Sequence, residues 1–138
     1  MLCAFSSQSL AIEQVSLQLK YLHQFQFAGY YAAIEQGFYR DVGLDVNIIQ
    51  GVSGQDSSKA VLSGEAQFGV GSSSLVLEHA AGYPLVALSV IFQHSPYTLV
   101  IPFRDDTQGV HHIAGKRVMI APQADELIAY LKKESIDR

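Results

Sequence analysis

Residues 19–46 constrain the fold more than any other stretch of this chain. They read as the end of one strand, a helix start loaded with aromatic residues, a glycine stop at Gly37, and a turn through Asp41 and Gly43 into a second strand. Just upstream, Val15, Leu17 and Leu19 alternate with Ser16 and Gln18, the two-residue period of a half-buried strand. The whole is one β-α-β step, and such a step makes its two strands parallel neighbours.

The same rhythm continues downstream. A helix is expected over residues 27–36, with Gly37 supplying the left-handed residue that closes it. Val46, Ile48 and Ile49 form the next strand, residues 51–54 lead into a helix that ends before Gly64, and residues 67–70 form a short buried strand. Gly71-Ser72-Ser73-Ser74 opens a third helix that stops near Gly82, and Tyr83-Pro84 breaks the chain before strands over 85–92 and 97–103. Residues 104–109 are polar and turn-rich, a hinge or linker, and residues 124–134 suit a helix. Successive β-α steps with short loops define an α/β fold with a mostly parallel sheet flanked by helices.

Composition bounds the rest. With 138 residues, 49% of them hydrophobic and 16% charged, the chain has enough apolar surface for one globular core. Its net charge of -4 and dispersed lysines and arginines argue against nucleic acid as a partner. No window approaches the roughly 18 uninterrupted apolar residues of a membrane span. Ser9-Leu10-Ala11 places small residues where a signal peptidase reads, so residues 1–11 are expected to be the remnant of a signal peptide, with an ordinary frayed terminus as the alternative. This points to a periplasmic or otherwise extracytoplasmic location. The single cysteine, Cys3, lies within that segment, which leaves no internal disulfide and no cysteine metal site.

In an open α/β sheet, ligands sit beyond the carboxyl ends of the strands. Three segments fall there. His23 to Tyr31 carries five aromatic rings counting His23; such rings stack on flat heterocycles, and Gln24 and Gln26 suit ring nitrogens and an exocyclic amine. The plainer reading is that Phe25, Phe27 and Tyr31 fill the core. Gly71, Ser72, Ser73 and Ser74 offer backbone amides and hydroxyls at a helix start, either for a polar ligand or as a simple serine cap. His94, in Gln93-His94-Ser95-Pro96, is a donor candidate or a solvated loop residue. Asp125 and Glu126 either meet a ligand or only favour a helix N-terminus. The adjacent His111 and His112 lack the spaced third ligand that zinc requires.

The run His23-Gln24-Phe25-Gln26-Phe27-Ala28-Gly29-Tyr30-Tyr31-Ala32-Ala33, with Gly37-Phe38-Tyr39 and Gly43-Leu44-Asp45-Val46, resembles the opening of the no-message-in-thiamine family of SsuA/ThiY-like type II solute-binding proteins. Residues 112–120 resemble the entry of that family's second lobe. The resemblance spans residues 15–136 and about the first half of a complete protein. It implies a first lobe over 12–103, and a hinge with the beginning of the second lobe over 104–138.

The implied function is the binding of a small flat heterocycle, such as a thiamine-precursor pyrimidine, for delivery to an ABC permease, with no catalysis and no cofactor. The resemblance implies His23, Gln24, Phe27 and Ala28 in the aromatic turn and a carboxylate near Glu126 as ligand residues; with Gly71, Ser72, Ser73 and His94 from the reading of the residues they make up the expected ligand set. Two alternatives stand beside it. One is a periplasmic sensor domain fused to a histidine kinase or diguanylate cyclase. The other is the eukaryotic-type thiamine pyrimidine synthase, which uses pyridoxal phosphate and iron. The synthase is expected to need a lysine and a histidine at the start of the third helix, where residues 68–75 contain neither.

Overall fold

The computed structural model describes residues 11–52, 56–102, 109–121 and 123–136. The expected signal remnant, most of the loop after Gly51 and the polar stretch 104–108 lie largely or wholly outside these residues. Contacts divide the chain into two compact units, Met1–Gly71 and Ser72–Arg138.

The first unit is built on strand β1 (Glu13–Gln18), which pairs in parallel with β2 (Leu44–Ile49) on one side and β3 (Phe68–Gly69) on the other, giving the order β2-β1-β3. The register sets Val15 beside Val46 and Leu17 beside Ile48, so one sheet face is apolar, while Gln14 beside Asp45 and Ser16 beside Asn47 make the other face polar. β3 contributes only two paired residues, Phe68 and Gly69, and both are exposed. The buried strand expected over 67–70 is thus a short exposed edge. Gln67 extends it with a side chain, its Oε1 accepting the Ser16 N–H at 2.8 Å in place of a ladder bond.

Between β1 and β2 the chain makes a 3-10 turn (Phe25–Phe27), helix α1 (Ala28–Glu35) and the one-turn helix α2 (Phe38–Asp41). Gly37, at φ 78°, stands between the two helices in the left-handed conformation that its lack of a Cβ permits. Helix α3 (Ser57–Leu62) starts at Asp56, whose carboxylate accepts the Ser58 N–H at 3.0 Å. It lies close against β3, where a Cβ on Gly69 would come within 3.1 Å of the Val61 side chain. The core of this unit is Val15, Leu17, Leu19, Phe27, Ala60 and Ala66.

The second unit contains helix α4 (Leu75–Ala80), a 3-10 turn (Val110–Ile113) and helix α5 (Asp125–Lys133). Ile113, Ala124 and Ile136 are buried. The strands expected over 85–92 and 97–103 do not form among the described residues. A strand is defined by a paired neighbour, and these segments have none in the sheet, so apolar side chains such as Val86, 81% exposed, together with Leu88 and Val90, face outward. No helix among the described residues is long and apolar enough to cross a membrane.

Candidate functional site

Beyond the carboxyl end of β1, the turn carrying the aromatic cluster is anchored by two residues. Gln18 breaks the expected alternation: its polar side chain is only 2% exposed. Its Nε2 donates to the carbonyls of Leu19 at 2.9 Å and Gln50 at 3.1 Å, tying the ends of β1 and β2 together. Beside it, Gly51 donates its N–H to the Tyr21 carbonyl at 2.9 Å. A Cβ on Gly51 would lie 2.5 Å from the Leu19 carbonyl oxygen, so only glycine lets the two backbones approach this closely. The glycine that follows β2 is explained by this contact.

On this anchored turn, His23 is exposed, and its Nδ1 contacts the Tyr31 hydroxyl. The two rings meet edge to face at 5.9 Å and 71°. Gln26 Nε2 donates to Gln24 Oε1 at 3.0 Å, which leaves a Gln24 amide donor and a Gln26 carbonyl acceptor for other partners. Phe25 is 93% exposed and Phe27 is 3% exposed. The ring available for stacking is therefore that of Phe25, while Phe27 is part of the core. Ala28 begins α1 and is half-buried. Nearby, burial pushes the Tyr30 phenol up from its ordinary value; burial, then the neighbouring Tyr30, does the same to Tyr39.

Gly71 closes the first unit, and Ser72 opens the second. Within the second unit, the serine run does not present free hydroxyls throughout. Ser72 Oγ lies 3.2 Å from Ser74 Oγ and accepts the Ser74 N–H at 3.4 Å. Ser74, 7% exposed, approaches the Gln123 carbonyl at 3.2 Å and Asp125 Oδ2 at 2.5 Å. Ser73 remains exposed. His94 is exposed, and its neighbour Ser95 donates to Glu126 Oε1 at 2.5 Å while accepting the Tyr97 N–H at 3.2 Å. The first turn of α5 is thus held by Ser74 through Asp125 and by Ser95 through Glu126.

Neither serine contact is visible in local spacing, because each joins residues far apart in the chain; the cue was only that Ser95 and Ser74 are polar residues at element boundaries. His111 Nε2 lies 3.4 Å from Glu134 Oε2, an ion pair when the histidine is protonated. Among the described residues, no group of three or more histidine, cysteine, aspartate or glutamate side chains is placed to hold a metal ion.

Two hollows lie elsewhere. One, of about 380 Å³, is lined in the second unit by apolar side chains including Leu99, Val110, Ile113 and Leu127, with Tyr97 and Tyr130. The other, of about 430 Å³, sits on the polar sheet face around Gln14, Ser16, Asp45, Asn47 and Gln67. Neither includes the candidate ligand residues.

A family model described as NMT1/THI5 like matches residues 24–137. The chain belongs to this NMT1/THI5-like family, and its three-stranded parallel sheet flanked by helices is part of a periplasmic-binding-protein-like fold. No curated protein and no solved structure gives a significant match. Family membership points to solute binding or a related function.

Proposed function

We propose that the chain is an extracytoplasmic solute-binding module for a small flat heterocycle, such as a thiamine-precursor pyrimidine, which it passes to an ABC permease. The observation that carries this reading is the anchored turn after β1, which offers an exposed aromatic face, Phe25, next to a free amide donor and a free amide acceptor on Gln24 and Gln26. Stacking plus a complementary donor and acceptor is how a protein recognises a ring with nitrogens and an exocyclic amine. His23, steadied by Tyr31, adds a polar edge to the same turn. Ala28 and Gly71 complete the proposed ligand set on this unit; Ser72, Ser73, His94 and Glu126 are the proposed ligand residues of the second unit.

Binding is tested by calorimetric titration of 4-amino-5-hydroxymethyl-2-methylpyrimidine into the protein. Micromolar or tighter binding that weakens in Phe25→Ala supports the reading. Absence of binding, or a pyridoxal phosphate absorbance band on incubation with that cofactor, overturns it in favour of another activity.

A further inference from the structure

We infer that residues 85–92 form a self-pairing surface, through which two copies of this chain join as an antiparallel two-stranded ribbon when concentrated. Val86, Leu88, Val90 and Phe92 alternate along this segment, so an extended backbone sets all four on one face. They are 81%, 74%, 78% and 64% exposed. Residues 83–90 belong to no helix, turn or bend, and among the described residues no backbone hydrogen bond involves residues 86–92. The donors and acceptors of a strand are therefore open beside an uncovered apolar row. Sheet edges that stay single carry charges or proline, which repel a neighbouring strand. Residues 85–92 contain neither.

A second copy supplies the fit. Placing Ser89 opposite its own counterpart sets Val86 against Phe92 and Leu88 against Val90, and the twofold axis repeats both pairs. Each large apolar side chain of the row then meets another, the cross-strand contact that stabilises a sheet. A slip of one residue would set Leu88 and Val90 against Ser89 and Ala87 instead. The twofold contact is isologous and closes at two copies. Together with Ile91, the four residues of the row expose on the order of 600 Å², as much as the largest apolar patch of a typical soluble monomer, a size that marks interaction sites. Pairing covers part of that surface, short of the roughly 800 Å² per partner of a stable interface. The pair is consequently weak, and the dilute chain is a monomer with this segment exposed.

The test is light scattering on the full chain at concentrations from about 1 μM to about 1 mM, the span of weak affinities. The mass should rise from the 15.1 kDa of one chain toward twofold that value. Leu88→Lys, which places a charge in the middle of the row of both copies, should hold the mass at one chain throughout without lowering the melting temperature of the dilute protein. The register is read by cross-linking in a Cys3→Ser background, which removes the chain's single cysteine. Ser89→Cys should give a disulfide-linked dimer under mild oxidation. Val86→Cys should not, because the ribbon separates the two copies of that position by about 20 Å, beyond the reach of a disulfide. A mass that stays at one chain, that grows past two, or that rises equally in Leu88→Lys overturns the inference. A dimer lost in Leu88→Lys in which Val86→Cys links as readily as Ser89→Cys overturns the antiparallel register and leaves the surface standing.

Discussion

The two units use apolar residues in opposite ways. In the first, Val15 and Leu17 lie in β1, a strand with a paired neighbour on each side, Leu19 follows just past its end, and all three are buried. In the second, residues 85–92 are at least as apolar, yet Val86, Leu88 and Val90 are exposed. The difference lies in partners, not in hydrophobicity. β1 pairs through a parallel ladder on each side; Gln67 Oε1 accepts the Ser16 N–H beside the short β3 ladder, and Gln18 Nε2 donates to the Leu19 carbonyl just past the strand end. A segment without such partners gains no shelter from being apolar, because burying it would also bury unpaired backbone amides and carbonyls.

The comparison can be broken most severely in the first unit. Phe27→Ala removes a ring that is almost wholly buried, and should cost about 3–5 kcal/mol of stability; Phe25→Ala, at an exposed position, should change stability by less than about 0.5 kcal/mol. Chemical denaturation of the two variants decides whether the aromatic turn divides into a core ring and a surface ring as described. Gly51→Ala forces a methyl group against the Leu19 carbonyl and the Lys20–Tyr21 peptide, and should cost about 2–3 kcal/mol by the overpacking scale. A neutral result there would mean that the ends of β1 and β2 are looser than the geometry implies.

Gln18→Leu keeps the volume but strips a donor from the Leu19 and Gln50 carbonyls, and should cost about 1–3 kcal/mol. It should also loosen the turn that carries His23 and Gln24, which faster amide exchange across residues 19–24 would register. In the second unit, the matching change is mild: Val86→Thr and Val90→Thr should each alter stability by no more than about 0.5 kcal/mol, since both side chains are largely exposed. A loss comparable to that of Gln18→Leu would show that residues 85–92 are buried in solution.

The smallest effect concerns pH. The Tyr30 and Tyr39 phenols are held above their ordinary value in the folded chain, by burial in both cases and for Tyr39 also by Tyr30. A raised phenol favours the neutral folded form, so its contribution is fully present below the unfolded value of about 10 and is lost as pH rises through the folded value. Stability should therefore be flat in these groups near neutrality and decline in the alkaline range. Tyr30→Phe should flatten that decline; a decline of unchanged steepness would assign it to other groups.

The sequence by itself determined the local grammar of this protein. The alternation in β1, the apolar face of β2 and the glycines after α1 and α3 are properties of neighbouring residues, and the structure keeps them: parallel strands at the expected places and Gly37 and Gly64 in the left-handed conformation. The aromatic turn was legible for the same reason, since residues 23–31 are contiguous. Tertiary structure alone decided which of its rings is core and which is surface, because Phe25 and Phe27 share a composition and differ only in which side of the turn they occupy. It also decided that Gln18 is an internal tie, that Gly51 answers to a backbone approaching from β1, and that Ser74 and Ser95 hold the carboxylates of α5. Each of these joins positions tens of residues apart, and strand pairing is of the same kind: residues 85–92 carry a strand's pattern, but a ladder requires a second chain segment that no local pattern can supply.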